Sequence, residues 1–135
     1  MRITAKDPAS AHIFGHKLMR FNSEKAGEMN GSEQFLVATD AENIEIGAAF
    51  AVKDWNWLNI EVIYVEESMR GMGVGSGLLM AIEEWGITEG CTRSYLDTFS
   101  FQAVDFYKKH GYREFGTLSD FPSGHSRVFF HKSLT

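Results

Sequence analysis

The spacing of apolar residues along the chain switches repeatedly between helical and strand-like. Near the start, Ile13, Phe14, Lys17 and Leu18 share one side of a 3.6-residue repeat, which predicts a helix from residue 7 to about 18 or 21. Asp7 followed by Pro8 is a start signal: an acidic cap, then a proline whose missing N–H has no role in the first turn. Residues 22–33, NSEKAGEMNGSE, are polar and glycine-bearing and read as loop. Three apolar runs follow: FLVAT (35–39), EIGAAFAV (45–52) and WLNIEVIYV (57–65). Their short polar connections predict an antiparallel meander. In the third run, alternation puts Asn59, Glu61, Ile63 and Val65 on one face and Ile60, Val62 and Tyr64 on the other.

Beyond a glycine-rich stretch the helical period returns. Val74, Leu78, Leu79, Ile82 and Trp85 make an amphipathic helix from near Gly73 to about residue 89, with Gly90 as its stop. RSYLDTF (93–99) reads as a strand and QAVDFYKKH (102–110) as a helix ended by Gly111. YREFGTL (112–118) and HSRVFFHK (125–132) are strands around a Phe121-Pro122-Ser123-Gly124 turn. The fold class is mixed α/β, with one strand–helix–strand unit able to pair in parallel. At 135 residues, a single domain over residues 1–135 is expected.

Composition narrows the function classes. A 44% hydrophobic fraction with 11 Phe supports a substantial core, yet no stretch approaches the ~20 apolar residues of a membrane helix. The N-terminus lacks the apolar run of a secretory signal. Cys91 is the only cysteine, so no intramolecular disulfide forms and a cytoplasmic location is expected. A net charge of −5 argues against a nucleic-acid binder, whose affinity for phosphates rests on Lys and Arg.

The candidate chemistry lies in RGMGVGSGLL, residues 70–79. Glycine inside a helix costs about 1 kcal/mol relative to alanine, yet Gly71, Gly73, Gly75 and Gly77 come in quick succession. A strand ending at Val65 and a helix opening near Gly73 bring free backbone N–H groups to one point, where the helix dipole adds positive charge. Such a site suits a phosphate or pyrophosphate, and Arg70 adds a charged donor. The Walker loop is excluded because Gly75 is followed by Ser76 and Gly77 rather than by Lys and Ser or Thr. The dinucleotide fingerprint G-x-G-x-x-G fails from every starting glycine.

What does fit is R-x-x-G-x-G over Arg70, Gly73 and Gly75. Here the chain resembles the GNAT superfamily of N-acetyltransferases, whose pyrophosphate loop reads Q/R-x-x-G-x-G/A. A second match lies in SFQAVDFYKKHGY (100–112), which resembles the family's N-x-x-A-x-x-F-Y-x-x-x-G-F/Y through Ala103, Phe106, Tyr107, Gly111 and Tyr112. Ser100 stands where many members have asparagine. The resemblance implies the GNAT fold: a mixed, mostly antiparallel twisted sheet of six to seven strands flanked by helices. In that fold the sheet is splayed between the strands before and after the glycine-loop helix, and the same is expected here.

It also implies acetyl-CoA as cosubstrate, a primary amine as acceptor, and direct transfer. Ile63 and Val65 would take the pantetheine arm as an added strand, with the Val65 N–H polarising the thioester carbonyl. Arg70, Gly71, Gly73, Val74, Gly75 and Ser76 would hold the pyrophosphate, and Ser100 would contact the cofactor. Tyr107 would be the general acid for the leaving thiolate, a role open to a phenol that is protonated at neutral pH. Glu61, placed by alternation on the face of Ile63 and Val65, is the candidate base. Homodimers are common among such proteins. The alternative is a non-catalytic acyl-CoA-binding or sensing domain. A structural domain whose glycines serve only packing is a further rival.

Other polar residues read as structural. His12 and His16 have helical metal-ligand spacing without an evident third ligand, so no metal is expected. His110 suits a helix C-terminus as a cation. Cys91 reads as buried packing, His125 as a turn residue, and Trp55 and Trp57 as flanks of the third strand.

Overall fold

A computed structural model describes residues 1–135. Residues Met1–Asn30 and Gly31–Thr135 form two compact units, taken in turn.

In the first unit the Asp7 carboxylate accepts the Ala9 N–H at 3.0 Å, the expected cap. It opens a 3₁₀ turn, Pro8–Ala11, before α1 (His12–Ala26) begins. The helix passes the end expected at 18–21, because Ser23, Glu24, Lys25 and Ala26 tolerate helical backbone. Its stop is conformational: Gly27 takes φ 89°, and its N–H bonds the Ser23 carbonyl at 2.9 Å. No α1 residue is buried.

The second unit holds a six-stranded sheet of β1 (Ser32–Thr39), β2 (Glu45–Asp54), β3 (Trp57–Val65), β4 (Arg93–Phe99), β5 (Arg113–Ser119) and β6 (Ser126–Ser133). Their spatial order is β1-β2-β3-β4-β6-β5. Every pairing is antiparallel except β3 with β4, which are joined through α2 (Val74–Thr88). A short helix, α3 (Val104–Lys109), connects β4 to β5. The mixed sheet and its parallel strand–helix–strand unit match the expected fold class.

Helix α2 approaches the sheet closely where side chains are missing. A Cβ on Gly47 of β2 would sit 2.8 Å from the Tyr64 carbonyl and 3.1 Å from Leu78. One on Gly86 of α2 would meet Leu58 at 2.8 Å. Around these contacts Ala49, Ala51, Leu58, Ile60, Leu79, Ile82, Leu96 and Phe130 form the core. Each large side chain there contributes about 1.5–3 kcal/mol on burial.

The simple alternation expected for β3 fails at Glu61. Phe50 lies opposite Val62 but Ala51 lies opposite Ile60, so Glu61 is an extra residue in a bulge. The phase resets there, and Ile60, not Glu61, shares the α2 face with Ile63 and Val65. The reason is burial: Leu58 and Ile60 are both buried with Ala49 and Ala51, and Ile63 and Val65 pack against that core. A regular strand cannot present Ile60 and Ile63 to one side.

Candidate active site

The two edges of β3 differ. Toward β2 the ladder runs from Trp57 to Val65, interrupted only by the bulge at Glu61. The Glu66 N–H bonds the Ile46 carbonyl at 2.9 Å, which makes the next pair, Gly47 with Val65, a non-hydrogen-bonded one. The N–H and C=O of Val65, and likewise of Ile63, therefore point toward β4. Parallel pairing with β4 covers only Trp57–Asn59 against Arg93–Tyr95. Beyond Asn59 the pairing ends, and those backbone groups have no partner strand on that side. The Val65 carbonyl is engaged by Arg70, whose Nε donates at 3.1 Å. Arg70 thus anchors the loop to the strand end, with its guanidinium 6.0 Å from the Tyr64 ring centre.

The chain then turns through Gly71 (φ 77°) and Gly73 (φ 87°), conformations that L side chains rarely adopt. Gly73 caps α2 without any side-chain bond, and the first N–H answered within the helix is that of Gly77, to the Gly73 carbonyl at 3.0 Å. The N–H groups of Val74, Gly75 and Ser76 are left without intrahelical acceptors at the positive end of a 15-residue helix. Gly75 lies against α3, where an added Cβ would meet the Phe106 ring at 3.4 Å; around Gly77 there is open space. The four glycines divide into two for conformation, one for helix packing and one that leaves the turn open.

Helix α3 buttresses this turn. His110 is held at both ring nitrogens, Nδ1 2.8 Å from the Phe106 carbonyl and Nε2 3.0 Å from the Ser76 hydroxyl. Its ring also lies 4.5 Å from that of Phe106. The sequence suggested only a C-terminal cation at His110. Its partner lies 34 residues away, a distance no local spacing rule spans.

Tyr107 is buried, 7% exposed, among Phe106, Tyr112 and Phe130. Burial alone pushes its phenol up to about 12. Tyr112 is buried too, but its hydroxyl donates to Ser94 at 2.9 Å; burial raises it as well, against that bond. Glu61 is exposed in its bulge, accepting from the Asn59 amide at 3.5 Å. The Ser100 hydroxyl oxygen accepts the Ser126 N–H at 2.9 Å, and the Ser100 N–H donates to the Ser126 carbonyl at 2.8 Å. Both bonds pin the end of β4 to β6, so Ser100 retains one hydroxyl hydrogen for any further contact.

The remaining residues spread out. His12 and His16 stand edge to face at 5.9 Å, and no three His, Cys, Asp or Glu side chains cluster as metal ligands. Cys91 is buried, which raises its thiol. His125 lies edge-on to Phe101 at 5.0 Å. Trp57 packs on Tyr95 at 5.8 Å, and with Phe115 and His131 they line a depression of about 280 Å³ that sequence reasoning missed. No helix is long and apolar enough to cross a membrane.

A sheet splayed beside an uncapped, glycine-rich helix start is the arrangement of one acyl-transfer fold. Residues 7–112 match the model of the Acetyltransferase (GNAT) family, and the chain belongs to that family. It is an acetyltransferase. A crystal structure of an acetyltransferase from Bacillus cereus ATCC 14579 superposes with a TM-score of 0.92 at 35% identity, covering 98% of this chain and 97% of that one. The acetyltransferase Atu2258 of Agrobacterium fabrum is 28% identical over 115 residues, 85% of this chain and 84% of that protein. The blasticidin-S acetyltransferase of Streptomyces morookaense is 38% identical over 81 residues, 59% of this chain and 60% of its own length.

Proposed function

We propose that the chain transfers the acetyl group of acetyl-CoA directly to a primary amine. One observation carries this reading: the unpaired edge of β3 runs straight to the uncapped N-terminus of α2. An extended pantetheine arm matches the first, and a pyrophosphate matches the second. Ile63 and Val65 take the arm, and the Val65 N–H polarises the thioester carbonyl. Gly71, Gly73, Val74, Gly75 and Ser76 surround the pyrophosphate. Arg70 acts chiefly by holding the loop to Val65 and adds positive charge beside the anion, and Ser100 adds a hydroxyl donor. Residues 1–135 work as one catalytic domain.

In the reaction, the substrate ammonium first gives a proton to Glu61, directly or through water. The neutral nitrogen attacks the carbonyl carbon, the C–S bond breaks, and the thiolate takes the proton of Tyr107. The surplus proton on the new amide nitrogen returns to the Tyr107 phenolate, and Glu61 releases its own to solvent. A phenol pushed up to about 12 is a weak acid, so it yields its proton only as the amide proton replaces it. Holding the two reactants side by side supplies much of the rate, because the thioester is already activated.

The test is calorimetric titration with acetyl-CoA, with NAD as control ligand, followed by thiol release on a panel of amines. Saturable one-to-one binding of acetyl-CoA alone, with amine-dependent thiol release, is the expected result. The absence of both heat and thermal stabilisation at millimolar acetyl-CoA overturns the reading.

A further inference from the structure

The bond between His110 and Ser76 joins the C-terminal end of α3 to the first turn of α2. A carbonyl oxygen only accepts, so the His110 Nδ1 facing the Phe106 carbonyl carries a hydrogen. In the neutral ring Nε2 is then an acceptor, and the Ser76 hydroxyl turns its hydrogen toward it. An anion on this turn would meet the backbone N–H of Ser76 but only lone pairs from its side chain. In the charged ring Nε2 donates instead, and the Ser76 hydrogen is released toward the anion. The two protonation states of His110 thus present Ser76 with opposite polarity.

We infer that His110 is a positioning residue of the anion site: it sets the direction of the Ser76 hydroxyl and takes up a proton when pyrophosphate binds. The inference rests on reading the start of α2 as the pyrophosphate site. A dianion held at the start of α2 attracts the charged ring, whose Nδ1 still donates to the Phe106 carbonyl.

The other charged or titratable groups around it are few. On its own helix they are Asp105, Lys108, Lys109 and the buried Tyr107, with Tyr112 just beyond. From β6, Lys132 lies beside Gly111 and is paired at 2.7 Å with Glu83 of α2. Lysine, arginine and tyrosine keep their protonation between pH 5 and 8 and carboxylates titrate below it, whereas histidine changes charge there. Linkage is reciprocal: an anion that favours the charged ring binds more tightly where the ring is already charged.

The test uses acetyl-dephospho-CoA, which keeps the pyrophosphate and lacks the 3′-phosphate, so that no ligand group titrates in the range. It is titrated into the wild-type chain, His110→Asn and Ser76→Ala at about pH 6, 7 and 8, in buffers of different ionisation heat that count protons. Wild type is expected to take up a fraction of a proton and to bind about fivefold more tightly at the lowest pH than at the highest. His110→Asn, whose amide can still reach the Phe106 carbonyl, loses this dependence at an unchanged melting temperature. Ser76→Ala loses most of it.

Binding in wild type that ignores pH, or the same pH response in either variant, overturns the inference while leaving the site reading intact. No binding by wild type overturns both. Should His110→Asn fail to fold, ¹⁵N-histidine NMR of wild type decides. Ligand is expected to drive the His110 Nε2 signal toward the protonated form, and a signal indifferent to ligand overturns the proposal.

Discussion

Strand β3 keeps two unlike neighbours. Along β2 it is laddered from end to end except at the Glu61 bulge, with α2 pressed onto that pair through Gly47. Along β4 it is paired for three residues and then free. One strand therefore has an edge that holds the fold together and an edge whose backbone donors are left for something else. Buried backbone N–H groups are almost always answered, so an open edge persists only where solvent or a ligand can reach it. The difference implies a division of labour: changes on the β2 side should act on stability, and changes facing the cleft should act on rate.

The largest effect expected on the open side is that of Tyr107→Phe. It should lower kcat by about 10²–10⁴-fold while leaving the Kd for acetyl-CoA and the melting temperature close to wild type. Full turnover by this variant would remove Tyr107 from the mechanism. Next comes Val65→Pro, which deletes an N–H that β2 does not use. A fall in kcat of about 10²–10³-fold is expected, with a urea midpoint well above that of Tyr64→Pro, which deletes a ladder bond to β2. Equal destabilisation of the two would break the contrast between the edges.

Alkaline melting reads the same core. Burial pushes the folded Tyr107 phenol from the ordinary phenol value up to about 12. Folding thus favours the neutral form. The linked stability is fully present below about pH 10 and is lost as pH rises through about 12, a change of about 2–3 kcal/mol. Tyr107→Phe should flatten the stability curve over that interval by about one proton's worth, and an unaltered slope would contradict the burial.

On the closed side, Gly47→Ala drives a methyl against the Tyr64 carbonyl and should cost about 1–3 kcal/mol by urea unfolding, with kcat per folded molecule unchanged. The smallest effect is the most pointed for the glycine run. Gly77→Ala enters open space inside a helix and should stabilise by about 0.5–1 kcal/mol. If acetyl-CoA affinity falls despite that gain, Gly77 is there to let the anion approach.

Local pattern carried much of this chain. The bounds of β3 and β4 coincide with the runs WLNIEVIYV and RSYLDTF, because a strand with one buried face must write that face into its own residues. The turn at Gly71 and Gly73 was equally legible, since backbone conformation is chosen residue by residue. The pattern failed at Glu61, where an unbroken series of apolar neighbours hides the phase reset. It failed at the end of α1, where polar residues were compatible with helix and only Gly27 stopped it.

By itself, then, the sequence determined the element types, the mixed α/β class, the glycine turn ahead of α2 and the position of Tyr107 on a glycine-stopped helix. The tertiary structure decided which β3 backbone groups are free, that Glu61 stands outside the alternation, that Ser100 is tied to Ser126, and that His110 meets Ser76. The physical reason is range. Periodicity and turn chemistry act over a few residues, whereas strand separation, bulge placement and the His110 bond follow from groups far apart in the chain competing for the same core.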